Sequence, residues 1–136
     1  MKKMLLISLC ALFFLPAAGA LWAQGSDVKE IPACKYCGMN REMFAHSRML
    51  IAYDDGTNVG TCSLHCVAVD LALNLDKTPK AIRVGDFSRK MLADAEAAFW
   101  VIGGNKPGVM TKTAKWAFAN KADAEKTIQT AIDNFG

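Results

Sequence analysis

The sequence predicts an α+β fold made of two similar units, each a β-hairpin followed by a helix. In both halves of the chain, two short strand-forming runs flank a turn and precede a segment with helical periodicity. Both helical segments have one apolar face, which is typical of helices packed on one side of antiparallel strands. The repeat concerns the order of elements and not residue identity. We therefore expect one small domain, with units at about residues 32–87 and 88–136.

The first unit is predicted from the segment between residues 48 and 75. Runs at 48–53 and 57–62 read as strands, and the intervening Asp54-Asp55-Gly56 is a hairpin turn signal in which glycine supplies a positive φ. Ser63 is a plausible N-cap. Apolar residues then recur at spacings of three and four, which predicts a helix over 64–75.

The second unit follows a strand at 81–87 and a connection at 88–95 that holds at most a short helical turn. Strands are predicted at 97–102 and 115–119, separated by a loop. Asn120 is the expected N-cap of a final helix. The residues expected on the inner face of that helix are Ala124, Ile128, Ala131 and Ile132. The polar segment 24–31, before the first unit, is expected to be loose.

The composition limits the classes of function. The chain has 136 residues, 52% of them hydrophobic and 21% charged, with a formal net charge of +3. This length forms one ordinary domain, and the recurring apolar residues exclude intrinsic disorder. Without Lys2 and Lys3 the net charge is about +1, and a charge this near neutral gives no reason to expect nucleic acid or an acidic membrane surface as a partner.

Residues 1–23 have the layout of a bacterial secretory signal peptide. A short basic start precedes an apolar run at 4–14 that is too short to span a bilayer, and small residues follow. Cleavage is expected after Ala20 or Ala23, which places residues 24–136 in the periplasm with no stable membrane anchor. An uncleaved N-terminal anchor is the alternative. Cys10 lacks the small preceding residue of a lipobox, so a lipoprotein is not expected.

Four cysteines remain after the leader, in two pairs. Cys34 and Cys37 have C-x-x-C spacing, which lets two thiols bind one metal ion or close a small disulfide. Cys62 and Cys66 lie one helical turn apart at a strand-to-helix junction. Together, the two pairs have the outline of a four-thiolate metal site. Two disulfides, which the even count in an oxidising compartment favours, and buried inert thiols are the alternatives.

Other soft donors accompany these thiols. Met39 follows Cys37 by two residues, and thiolate plus thioether favours copper(I), while zinc is compatible through the thiolates alone. Met110 lies in a Gly/Pro loop, so it does not belong to an apolar helix face that would explain it as a core residue. His65, between the second pair of cysteines, is a further candidate ligand. His46 lies in a polar turn and is expected to be solvated.

The motifs argue against an enzyme. The sequence contains no C-x-x-C-H for haem attachment, no G-x-S-x-G nucleophile elbow and no Gly-rich phosphate loop. The C-x-x-C does not sit in a βαβ pattern at the start of a long helix, so a thioredoxin-like oxidoreductase is not expected.

The order of five motifs over about residues 32–136 resembles the NosL family, copper-binding accessory proteins of nitrous oxide reductase. The motifs are Cys-x-x-Cys-Gly-Met, Cys-Ser-Leu-His-Cys, Ala-Phe-Trp-Val-Ile-Gly-Gly, Lys-Pro-Gly-Val-Met-Thr, and Lys-Trp-Ala-Phe before a closing Ala-Asp-Ala-Glu helix. The resemblance implies two ββα-type units and periplasmic delivery of copper(I) to a copper enzyme, with nitrous oxide reductase as the expected partner. Family members are often lipoproteins, from which this leader departs.

The resemblance also implies which residues bind the metal. Cys37 and Met39 match the Cys-Gly-Met motif, and Met110 matches the methionine of a later loop, in which Val109 stands where the family has proline. The donors expected nearby are Cys34, Cys62, Cys66 and His65. The rival expectation is structural: the four cysteines hold zinc or form disulfides, and the chain is an extracytoplasmic binding or assembly module without metal transfer.

Overall fold

A computed structural model describes residues 26–134, so the predicted signal peptide lies outside the described residues. The elements in chain order are α1 (Ser26–Glu30), β1 (Met49–Tyr53), β2 (Asn58–Thr61), α2 (Leu64–Leu73), β3 (Pro79–Gly85), β4 (Leu92–Asp94), β5 (Phe99–Pro107), β6 (Thr113–Phe118) and α3 (Lys121–Asp133). The strands form a four-stranded sheet of order β2-β1-β3-β4 and a two-stranded sheet β5-β6, all antiparallel. The predicted α+β class is confirmed. None of the helices within residues 26–134 has the length and apolar character of a membrane span.

The first sheet contains the predicted hairpin. Met49 lies opposite Thr61 across β1 and β2, and Gly56 in the turn has a φ of 84°. On the other edge of β1, Met49 lies opposite Val84 of β3. The main core packs between this sheet, α2 and the second sheet, and its buried members are Met49, Ile51, Tyr53, Val59, Val67, Val84 and Ala117.

Helix α2 directly follows the second strand of the hairpin. Ser63 has the extended backbone of an N-cap, although its side chain makes no capping hydrogen bond. The helix ends at Leu73, short of the predicted Leu75, which is exposed. Its buried face contains an acid, Asp70, one turn after Cys66. This helix therefore makes a polar contact towards the sheet, which its otherwise apolar sequence pattern does not reveal.

The second sheet packs against α3. The Asn120 side chain accepts a hydrogen bond from the Asp123 backbone, which confirms the predicted N-cap. Ala124 is buried against the sheet as predicted. Ile128 and Ile132 line a cavity between this helix and β5, but they are 44% and 58% exposed, so this part of the inner face is only partly covered. A sheet of only two strands offers this helix a narrow surface, which leaves its later turns uncovered.

Asp86 joins the two sheets. It forms a parallel bridge with Ala117, and the next residue, Phe87, donates its backbone N–H to the Ala117 carbonyl at 2.8 Å. The Asp86 carboxylate is buried and accepts from the backbone N–H groups of Ser88, Arg89 and Ala119 at 2.6–2.8 Å. This one side chain therefore fixes the start of the β3–β4 connection to the end of β6.

Three further sequence expectations need correction. Residues 26–30 are not loose but form α1, because buried Asp27 binds Arg41 and Arg48 at 2.9 Å each. The connection at 88–95 contains β4, which is too short to show periodicity. Strand β5 continues beyond residue 102 to Pro107 after a register shift.

Candidate metal centre

The four cysteines of residues 26–134 converge on one point. All four are free thiols, and their Sγ atoms lie within 4.8 Å of one another. The Sγ–Sγ distances are 3.4 Å for Cys37–Cys62, 3.8 Å for Cys62–Cys66 and 4.0 Å for Cys66–Cys37. A tetrahedral ion with metal–sulfur bonds of about 2.3 Å separates its ligand sulfurs by about 3.8 Å. The cluster therefore has the spacing of a soft-metal site.

Local backbone geometry brings the two pairs together. In the C-x-x-C loop the Gly38 N–H donates to the Cys34 carbonyl at 3.0 Å, and the Cys34 N–H donates to the Met39 carbonyl at 2.9 Å. Gly38 has a φ of 72°, a conformation that favours glycine. The Lys35 N–H donates to the Gly60 carbonyl at 3.1 Å, which fastens the loop to β2. Strand β2 leads directly into the second cysteine pair.

The four thiols differ in access to solvent. Cys34, Cys62 and Cys66 are at most 3% exposed, whereas Cys37 is exposed. Because exchange of a metal ion needs an accessible donor, Cys37 is the position at which an incoming ligand can reach the cluster. The other three thiols form the buried side of the same group.

The thiols also differ in acidity. Burial raises the pKa of Cys66 to about 12 and also raises that of Cys62. Burial opposes ionisation of Cys34 as well, but backbone N–H donors around the loop, led by that of Cys37, outweigh it and lower the Cys34 pKa to about 7. A thiolate-binding metal must therefore displace protons from the buried thiols, which makes binding pH-dependent.

A buried carboxylate holds the C-x-x-C loop in place. Asp70 is fully buried, and its Oδ1 accepts from the Tyr36 hydroxyl and, at 3.1 Å, from the Lys35 ammonium. Its Oδ2 accepts from the Tyr53 hydroxyl on β1. Burial alone would raise the Asp70 pKa, but the hydrogen bonds from Tyr36, Tyr53 and Lys35 lower it. One side chain thus ties the loop, the Cys66 helix and the central strand together.

Sequence reasoning missed Asp70, although a signal was present. The residue interrupts the apolar face of α2 one turn after Cys66. An acid at such a position needs partners because a buried charge is costly unless it is paired and hydrogen-bonded. Its three donors come from two other segments of the chain, which the pattern of one helix does not reveal.

The two candidate methionines line one cavity beside the cluster. Met39 and Val109 pack against the cysteines. Met110, next to Val109, is 45% exposed and lines the same cavity of about 510 Å³ as Met39. The structure therefore places Met39 at the thiols and Met110 at the opening next to them.

The two histidines lie apart from the thiol group. His65 is exposed and is not among the donors within 4.8 Å of one another. His46 is not solvated as expected: it is half-buried, with ring centroids 5.2 Å from Trp116 and 5.9 Å from Phe87. Burial, with smaller contributions from nearby lysines, lowers its pKa. The polar turn that holds it folds over aromatic residues distant in sequence.

Comparisons with known proteins add to this geometry. The NosL family model matches residues 26–131. The crystal structure of the copper chaperone NosL from Shewanella denitrificans has a similar fold, with a TM-score of 0.54 and 22% identity over 72% of this chain and 80% of that chain. No curated protein matches the chain significantly. Because the family model covers most of the sequence, the chain belongs to the NosL family.

Proposed function

We propose that this chain is a copper(I)-binding metallochaperone, without enzymatic activity, that acts in the periplasm and delivers copper to nitrous oxide reductase or a related copper enzyme. Family membership supports a copper-related role, and the structural neighbour is itself a copper chaperone. The leader at residues 1–23 supports export. The observation that carries the proposal is a soft-donor cluster with one exposed thiol.

The donor set suits an ion that must be bound and then released. Copper(I) prefers thiolate and thioether ligands; the exposed Cys37 provides a thiolate, and Met39 and Met110, which line the adjacent cavity, provide thioethers. In the proposed transfer, a donor atom of the recipient bonds to copper, and a bond from copper to this chain then breaks. Copper remains in the +1 state, so no oxidant or reductant is needed.

One specific observation favours the alternative function, a binding module stabilised by zinc. The Sγ–Sγ distances among Cys37, Cys62 and Cys66 are 3.4–4.0 Å, close to the edge of a tetrahedral four-thiolate site, and Cys34 belongs to the same group; four thiolates are the usual arrangement of structural zinc. In that function the four cysteines hold zinc and stabilise an extracytoplasmic binding module. Zinc would then remain bound and not be passed on.

A copper(I) titration separates the two functions. The reduced protein is titrated anaerobically against a competing chelator, beside the variants Cys37→Ser and Met110→Leu. The matched control is Met43→Leu, because Met43 is 77% exposed and does not line the cavity. One tight copper(I) ion, weakened in both variants and unchanged in the control, supports the chaperone. Tight zinc that copper(I) does not displace, with no effect of Met110→Leu, refutes it.

A further inference from the structure

We infer that the cavity beside the thiol cluster is the docking site of the protein that exchanges copper with this chain, and that it selects a segment rich in aspartate and glutamate. The inference rests on the proposed function and names the chemistry of the partner. We call this cavity the basic aromatic pocket; its defining side chains are Phe44, His46, Phe87, Lys90, Lys106 and Trp116.

The pocket borders the candidate metal site through Met39. Met39 and Met110 form part of its wall, and Met39 also packs against the buried cysteines. Its volume of about 510 Å³ lies in the usual range for ligand pockets, so several side chains of a partner segment fit. A segment seated there lies next to the thioether donors from which copper is exchanged.

The charge of the pocket is positive. The Lys90 and Lys106 ammonium groups lie 4.7 and 5.6 Å from the centroid of the Phe87 ring. No aspartate or glutamate is among the described residues that line the pocket. The nearby Asp86 is buried, and its two oxygens accept from backbone N–H groups. Two ammonium groups without a lining carboxylate are complementary to acidic side chains.

Aromatic rings form the apolar part of the pocket. The Trp116 centroid lies 4.9 Å from that of Phe87 and 5.2 Å from that of His46. Aromatic side chains are enriched at the centres of protein–protein interfaces, and the rim around such a centre is polar. The pocket is therefore suited to a polypeptide segment, whose apolar atoms contact the rings while its carboxylates contact the lysines.

Backbone strain marks the same pocket. Among residues 26–134, the non-glycine residues with a positive φ are Lys90, at 62°, and Met110, at 58°. Such conformations are uncommon for these residue types and concentrate at binding sites. Both strained residues line this pocket, one supplying a charge and the other a thioether. This observation is independent of the charge and supports a functional use of the cavity.

Two synthetic acceptor peptides test the inference. Both carry the same thiol copper ligands, flanked in one by aspartate and glutamate and in the other by asparagine and glutamine. Binding to the reduced metal-free protein is followed by backbone amide shifts, and copper(I) transfer is followed with the loaded protein. We expect about tenfold tighter binding and faster transfer for the acidic peptide at low salt, lost at high salt. The largest amide shifts should lie around Lys90, Lys106 and His46.

The charge-reversal pair Lys90→Glu with Lys106→Glu should abolish the preference for the acidic peptide. Lys29→Glu with Lys80→Glu is the matched control, because both lysines are exposed outside the pocket and the change in net charge is the same. Equal affinity for the two peptides, equal loss in the control pair, or lysine-dependent binding to phosphatidylglycerol vesicles without a peptide preference overturns the docking site. Failure to bind copper(I) instead refutes the proposed function.

Discussion

Replacing Tyr36 with phenylalanine removes one hydroxyl group, and we expect a larger effect on copper(I) binding than the equivalent change at Tyr53. Both hydroxyls donate to the buried carboxylate of Asp70, one to each oxygen. Tyr36 lies inside the C-x-x-C loop, whereas Tyr53 ends β1. The pair of substitutions therefore removes the same kind of hydrogen bond from the metal-binding loop or from the sheet.

The structure sets the expected magnitudes. A hydrogen bond to a charged group contributes about 1.5–3 kcal/mol. Tyr53 is 2% exposed, so Tyr53→Phe should lower the free energy of unfolding by about 2 kcal/mol. Tyr36 is partly exposed, and Lys35 still binds Asp70 at 3.1 Å, so the stability loss should be about 1 kcal/mol. A less ordered loop should weaken copper(I) affinity about tenfold in Tyr36→Phe alone, equivalent to about 1.4 kcal/mol.

Two measurements check this prediction. Urea unfolding of the reduced metal-free protein gives the stability of each variant, and chelator competition gives its copper(I) affinity. Asp70 positions the loop if the affinity falls in Tyr36→Phe and is unchanged in Tyr53→Phe. Equal losses of affinity would show that the carboxylate acts only through overall stability, and unchanged affinity in both would show that loop order does not limit binding.

Three further predictions concern other parts of the molecule. Asp27→Asn leaves the buried Arg41 and Arg48 without their counter-ion. Urea unfolding should therefore show a free energy of unfolding lower by about 3–5 kcal/mol, and a decrease under 1 kcal/mol would contradict this. Burial lowers the His46 pKa below its ordinary 6.5, so as the pH falls the unfolded chain takes up the proton before the folded chain does. The free energy of unfolding should therefore fall from about pH 7 towards 5. An unchanged pH dependence of stability in His46→Gln would refute this. A thiol oxidant should form a disulfide between Cys37 and Cys62, whose Sγ atoms are 3.4 Å apart. Copper(I) binding should then be lost until reductant is added. A different cysteine pairing in peptide mass spectrometry would contradict this.

Much of the fold could be predicted from local patterns. The β1–β2 hairpin, α2 and the Asn120 cap follow from alternation, helical spacing and capping chemistry, all of which act within a few residues. Helix α1 could not be predicted, because it is stabilised by ion pairs from Asp27 to arginines far along the chain. The exposure of Ile128 and Ile132 depends on the width of the neighbouring sheet and not on the helix itself.

The candidate site could likewise be predicted only where it depends on local sequence patterns. The spacings of the two cysteine pairs indicated that each pair could act together, and the structure brings all four thiols to one point. The Asp70 contacts and the aromatic surroundings of His46 depend on tertiary packing. The metal-binding role of Met39, Met110 and His65 remains a prediction, with Met39 at the thiols, Met110 at the adjacent opening and His65 outside the group.

The positive φ of Met110 limits which residues can replace it. Met110 lies between β5 and β6 and is 45% exposed, so its replacement disturbs little packing, in contrast to the buried cysteines. Apart from glycine, the residues that tolerate this backbone conformation best are asparagine, aspartate and histidine. Each of these offers a harder donor than a thioether. In the proposed copper(I) site, a substitution that relieves the strain would thus replace the thioether with a harder donor or, with glycine, remove the donor, so methionine combines the soft donor with an unfavourable backbone conformation.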